Sequence, residues 1–213
     1  MAKLVLTSLL ETLYMVFLST IFSLIIGFPL GILLIITEEG NIWEKPLINK
    51  ILSSAVNILR SIPFIILMIL VFPLSKFIVG KTIGTTATIV PLSIAAAPFV
   101  ARVMESSIGE IDKGVMESSL AMGATVPEII KMVLIPESLP SIISGITLTI
   151  INLIGYSAMA GAIGGGGLGN LAVRFGLYKF QTDIMIASLI VIIILVQGIQ
   201  IIGSQIAMRI DKR

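Results

Sequence analysis

Leu13-Tyr14-Met15-Val16-Phe17-Leu18-Ser19-Thr20-Ile21-Phe22-Ser23-Leu24-Ile25-Ile26-Gly27-Phe28-Pro29-Leu30-Gly31-Ile32-Leu33-Leu34-Ile35-Ile36 carries no charged side chain. A helix needs about 20 apolar residues to cross the hydrocarbon core of a bilayer, so this run is long enough to span one. It exceeds the h-region of a signal peptide, and no small-residue cleavage site closes it. Gly27 and Gly31, four apart, allow close helix contact, although the pattern is also common by chance. Glu38, Glu39, Gly40 and Asn41 end the run in a polar turn.

The rest of the chain repeats the theme. Hydrophobic residues make up 56% and charged residues 12%, with mean hydropathy +1.11, against roughly 25% charged in an average soluble domain. The composition implies an all-α integral membrane protein. Five spans are predicted at 13–36, 52–72, 85–103, 140–160 and 184–208, within one domain over 8–208 and with a polar loop at 104–137. Pro46 opens an apolar stripe at positions 47, 48, 51, 52, 55, 56 and 59 that enters the membrane edge-on and leads into span two. Pro63, in Arg60-Ser61-Ile62-Pro63, lacks a donor and predicts a kink or helix restart. Span three, with Pro91, Pro98 and Ala95-Ala96-Ala97, suits packing against protein rather than lipid. Span five is nearly continuous Ile, Leu and Val.

Charge placement orients the spans. Lys45, Lys50, Arg102, Lys113, Lys131, Arg209, Lys212 and Arg213 fall on one side, with Arg60 near that boundary. Lys3, Lys76, Lys81, Arg174 and Lys179 fall on the other. The positive-inside rule predicts the 104–137 loop and the C-terminus in the cytoplasm and the N-terminus outside.

Several functions are disfavoured. The net charge of +2 is too small for a nucleic-acid surface. With no His and no Cys, the commonest metal ligand and thiolate chemistry are missing, and no metal site is supported. No acid lies deep in a predicted span, where a proton- or sodium-coupled carrier keeps one. There is no P-loop; the Gly164–Gly169 run lacks the Lys that would meet phosphates. Either the chain is a passive pore or scaffold, or another subunit supplies the energy.

The polar loop bears on that choice. Gly123 can supply a left-handed residue ending one short helix. Thr125-Val126-Pro127-Glu128 reads as a capping box opening a second, with Ile129, Ile130, Val133 and Leu134 on its membrane side and Pro136 before the next span. Such a helix–glycine–helix knuckle suits docking in a cleft of a soluble protein; the plain alternative is a connecting loop.

Glu117-Ser118-Ser119-Leu120-Ala121-Met122-Gly123, nine residues, then Val133-Leu134-Ile135-Pro136 resembles the EAA loop of type-1 ABC importer permeases, with two serines where that family has alanines. Three further stretches resemble methionine-type uptake permeases in particular. These are Arg60-Ser61-Ile62-Pro63-Phe64, Ala96-Ala97-Pro98-Phe99-Val100-Ala101-Arg102, and Gly155-Tyr156-Ser157-Ala158-Met159 with Gly166-Gly167-Leu168-Gly169. The resemblance covers nearly the whole chain. It implies a multi-pass cell (inner) membrane subunit in contact with lipid and not itself an enzyme. It also implies a second copy of the chain, two cytoplasmic ABC ATPase subunits that bind ATP-Mg, and an external substrate-binding protein. Glu117, Ser118, Ser119, Gly123 and Ala124 become ATPase-coupling positions. A permease for another small amino acid or a sulfonate, an ATP-independent channel or carrier, and a membrane scaffold are the competing readings.

Tyr156, Ser157 and Met159 lie near the outer end of span four and are the candidate translocation gate. Met159 either plugs the pathway across a two-fold axis or packs in the core. Gly164–Gly167 either bends tightly over the pathway mouth or is a flexible linker. Asn152 is expected to hydrogen-bond a neighbouring helix, and Arg60 to anchor the cytoplasmic side of the kinked helix.

Overall fold

The uncharged run 13–36 is the greater part of a longer helix. In the computed structural model, which describes residues 2–211, α1 extends from Ala2 to Ile36. Glu11 therefore lies within a helix rather than ahead of one. Gly27 and Gly31 sit against α4 (Thr85–Gly109). A Cβ on Gly27 would stand 2.4 Å from the Ala97 carbonyl oxygen, and one on Gly31 2.4 Å from Met104 Cβ. Only hydrogen fits at either position, so the glycine pair brings two helices of the same chain into backbone contact. Met15, Leu92 and Ala96 pack into the core above this crossing.

The expectation that span three is packed against protein holds. In α4, 67% of the most apolar stretch is buried, against 6% in α9 (Thr182–Ile210). The difference follows from composition: small Ala and Ser side chains let neighbours approach on all sides of α4, while the Ile, Leu and Val of α9 face outward, as against lipid.

Span two differs from the predicted 52–72. Helix α2 covers Pro46–Ser61 and a separate α3 covers Phe64–Val79, bent from it by 106°. The restart expected at Pro63 is the cause. Ile62, preceding the proline, is extended at φ −79° and ψ 122°, the conformation that the prolyl ring imposes on its predecessor. Most of the α2 apolar stripe stays uncovered by the chain, with only Val56 buried, as befits a helix entering a membrane edge-on. Among the described residues four helices are long and apolar enough to cross a membrane, and the bent pair makes a fifth if it counts as one span.

The knuckle also differs in one respect. After α5 (Lys113–Ala121), the second arm is not a short helix ending before Pro136. Helix α6 (Val126–Ile129), a π-turn (Ile130–Leu134) and α7 (Ile135–Ala162) form one continuous rod. Ile135 donates to the Ile130 carbonyl, five residues back. This wider turn lets the chain continue past Pro136, whose ring would otherwise collide with the turn before it. Near mid-length α7 is gripped from two sides. A Cβ on Gly145 would lie 2.0 Å from Val103 of α4, and one on Gly203 of α9 would lie 2.1 Å from the Thr147 hydroxyl.

Gly164, Gly166 and Gly167 all take positive φ in the turn that leads to α8 (Gly167–Ala172). A Cβ on Gly169 would lie 2.3 Å from Ala158 Cα. The flexible-linker reading of this stretch is thereby replaced by a tightly folded turn seated on α7. A second π-turn (Val173–Leu177) connects α8 toward α9. Lys212 and Arg213, counted in the charge asymmetry, lie outside the described residues.

Candidate functional site

Asp112 starts the knuckle: its carboxylate accepts the Gly114 N–H at 2.6 Å and caps α5. The helix ends at Gly123, φ +84°. There the Ala124 N–H donates to the Ser119 carbonyl (3.1 Å) and the Gly123 N–H to that of Leu120 (2.9 Å). This crossed pair satisfies the last carbonyls of the helix and requires a left-handed residue, as the sequence led one to expect. Nothing lies within 4 Å of where a Gly123 Cβ would project, so the constraint is on the backbone alone.

The following arm opens at Thr125. The Glu128 carboxylate accepts from the Thr125 hydroxyl at 2.7 Å and from its N–H at 2.8 Å. These two bonds, the hydroxyl first, hold the Glu128 carboxyl below its ordinary value. The contribution is present above the usual carboxylate range and fades as pH falls through the lowered pKa.

Of the five expected coupling positions, Glu117, Ser118 and Gly123 are exposed and Ala124 is half-buried, all on one projecting corner. Ser119 is not on that surface. It is buried, and its hydroxyl donates to the Val115 carbonyl at 2.8 Å, so it packs the knuckle onto the chain. Sequence reasoning passed over Leu120, Met122 and Met132, which are exposed on the knuckle, Met122 to 81%. For Met122 the signal was a bulky apolar residue directly beside the turn glycine.

The gate trio separates likewise. Ser157 is buried and its hydroxyl donates to the Ile154 carbonyl at 2.8 Å. Tyr156 stacks on Phe64 with ring centroids 4.8 Å apart and planes 7° from parallel, tying α7 to the start of α3. Met159 is 47% exposed, so its core-packing alternative does not hold within this chain. It belongs to a stripe along α7 of Ser144, Leu148, Asn152, Gly155 and Met159, all exposed. Their spacing of three and four keeps them on one face. This face mixes small and polar residues, unlike the Ile- and Leu-covered faces of α9.

One expectation is corrected here. Asn152 hydrogen-bonds nothing among the described residues. Arg60 is exposed at the end of α2, and together with Asn152 and Tyr156 it lines a cavity of about 240 Å³; Asn152 lies near the middle of the 140–160 run. No group of three metal-binding side chains occurs among the described residues.

Residues 27–213 match the family of binding-protein-dependent transport system inner membrane components. The chain belongs to that family. This permease is 46% identical over 212 residues to the probable D-methionine transport system permease protein MetI of Vibrio cholerae, a match covering all of this chain and 94% of that one. It is 49% identical over 181 residues to the methionine import system permease protein MetP of Bacillus subtilis, covering 85% and 82%. A crystal structure of the inward-facing MetNI methionine ABC transporter contains a chain 43% identical. That chain superposes on this permease with a TM-score of 0.98, over 100% of this chain and 98% of it. An amino acid ABC transporter at 20% identity, TM-score 0.79, shares the fold. The fold is thus the type-1 ABC permease fold, and the chain is a multi-pass inner-membrane transport component.

Proposed function

We infer that this permease imports methionine, as the D or L form, as the membrane subunit of an ATP-driven ABC importer. The observation that carries the reading is the match to methionine-transport permeases of two bacteria, over 100% of this chain for one and 85% for the other. The glycine-ended knuckle supports the coupling half of it.

In this reading a single domain over 8–208 pairs with a second copy, because one bundle with an exposed polar stripe on α7 encloses no pathway, and a two-fold dimer is the commonest closed assembly. Glu117, Ser118 and Gly123, with Ala124 beside them, meet a groove of the ATPase subunit, which binds ATP-Mg and hydrolyses it. Ser119 holds the knuckle's shape. An external binding protein delivers substrate, and Met159 closes the pathway from the α7 face, with Tyr156 and Ser157 setting the helix behind it. The coupling loop lies in the cytoplasm.

The test is reconstitution in liposomes with the ATPase and binding protein. Gly123→Asp forces a side chain onto a left-handed backbone at roughly 1 kcal/mol and puts a charge on the docking corner. The protein should insert and dimerise, yet ATP-driven methionine uptake should be lost; Glu117→Lys should weaken ATPase co-purification. Normal uptake by both variants would remove the coupling assignment. Uptake of a sulfonate or another amino acid in place of methionine would change the substrate, and uptake by this chain alone would replace the ATP-driven reading by a carrier.

A further inference from the structure

The open cavity beneath the α2–α3 bend is chemically unusual among helices as apolar as these. Two arginines meet at α2, Arg60 on its last turn and Arg102 facing it from α4, and they are treated differently. Arg102 of α4 pairs with Glu105 and donates to Ser53 Oγ (2.6 Å) and Asn57 Oδ1 (2.8 Å). Arg60 has no carboxylate, hydroxyl or carbonyl partner among the described residues. It faces a space shared with Asn152, whose amide is also without a partner, and with Tyr156. Phe64, the first residue of α3, lines the same space, so the positive end of a 16-residue helix borders it. A guanidinium, a free amide and a helix N-terminus thus converge on one open cavity, Arg60 and Asn152 both exposed to it; ionisable groups kept within membrane segments commonly line substrate paths. Broken helices present their N-termini to anionic substrate groups in the same way. The remaining walls, Leu67 and Phe99 among them, are apolar.

We propose that this cavity is a transient substrate site within the membrane, in which Arg60 and Asn152 bind the carboxylate of an amino acid whose apolar side chain lies against Phe64, Leu67 and Phe99. This deepens the import reading and rests on it. A planar carboxylate matches the two-pronged donor face of the guanidinium. At about 240 Å³ the space is small for a drug-sized ligand, and suits one small amphipathic molecule better than a lipid headgroup with its chains.

The experiment uses the assembled permease–ATPase complex in nanodiscs and a diazirine analogue of methionine, with labelled peptides mapped by mass spectrometry. Label is expected on the segments holding Phe64 and Tyr156, competed by methionine but not by methioninol, which lacks the carboxylate. Arg60→Gln should weaken competition by methionine roughly ten-fold or more, with Arg60→Lys retaining part of it; both must form the complex on size-exclusion, and Asn152→Ala serves where Arg60→Gln does not. Equal competition by methioninol, competition by an alkanesulfonate instead, label elsewhere, or loss of label only when anionic lipid is added would overturn the site. If label is absent but the reconstituted system still imports methionine, this inference alone fails. If import itself is absent, the import reading fails with it.

Discussion

Glu11 and Gly167, 156 positions apart, are joined by a hydrogen bond: the glycine N–H donates to the Glu11 carboxylate at 2.8 Å. Beside it the Leu168 N–H donates to the Thr12 hydroxyl at 2.9 Å. The first helix thus caps α8, supplying acceptors to the N-terminal amides that a helix cannot satisfy itself. Gly166 and Gly167, both at positive φ, leave room for the approach.

Removing the cap should loosen α8 and little else. Glu11→Ala with Thr12→Val should cost about 1–3 kcal/mol, since two buried or half-buried amides lose their acceptors. Thermal unfolding in detergent reads the loss, and hydrogen exchange should localise it to 167–172. Uniformly faster exchange across α1 would contradict a local capping role.

Close packing of α1 on α4 should tolerate no side chain at its contact points. Gly31→Leu must displace the Met104 side chain and the Ala101 carbonyl. Overpacking of this kind costs typically 1–3 kcal/mol and here meets backbone. The expected result is little folded protein after solubilisation, measured by fluorescence-detected size-exclusion. A monodisperse Gly31→Leu would show that the helices can separate.

Met159→Ala should behave differently from a core truncation. With its side chain half outside the chain, the change should alter thermal stability of the isolated subunit by less than about 0.5 kcal/mol, while basal leak or ATPase activity of the assembled transporter rises. A loss of several kcal/mol, as a buried cavity gives, would return Met159 to the core.

Orientation is read by labelling. Cysteine introduced at Lys3 should react with an impermeant reagent in intact cells, and cysteine at Asp211 only after permeabilisation, as the Lys and Arg asymmetry requires. The reverse pattern would leave the knuckle on the wrong side for an ATPase.

What could be read from the chain in advance was whatever a single residue's backbone enforces. Gly123 must accept a left-handed conformation, Pro63 must break a helix, and the Thr125–Glu128 spacing suits a cap. What escaped depends on distant partners. No local pattern couples Glu11 to Gly167. The π-turn at 130–134 has no residue signature, so Pro136 read as a boundary although the rod runs through it. The grouping of Arg60 with Asn152 and Tyr156 around one cavity depends on the bend that follows Arg60, and the inward turn of Ser119 and Ser157 depends on helix phase, which small side chains do not reveal.

Held at Gly145 and Thr147, the α6–α7 rod is a beam resting on a fulcrum. From Thr125 to Gly145 is about 30 Å of helix, and from Gly145 to Met159 about 20 Å. A sideways push on the knuckle would drive Met159 the opposite way, by at most about two thirds of the distance, carrying with it the Gly169 turn seated on Ala158, less whatever flexing the π-turn absorbs. The same beam works in reverse, so an object lodged against Met159 would press outward on the knuckle with mechanical advantage below one, and be felt there as a larger, softer displacement.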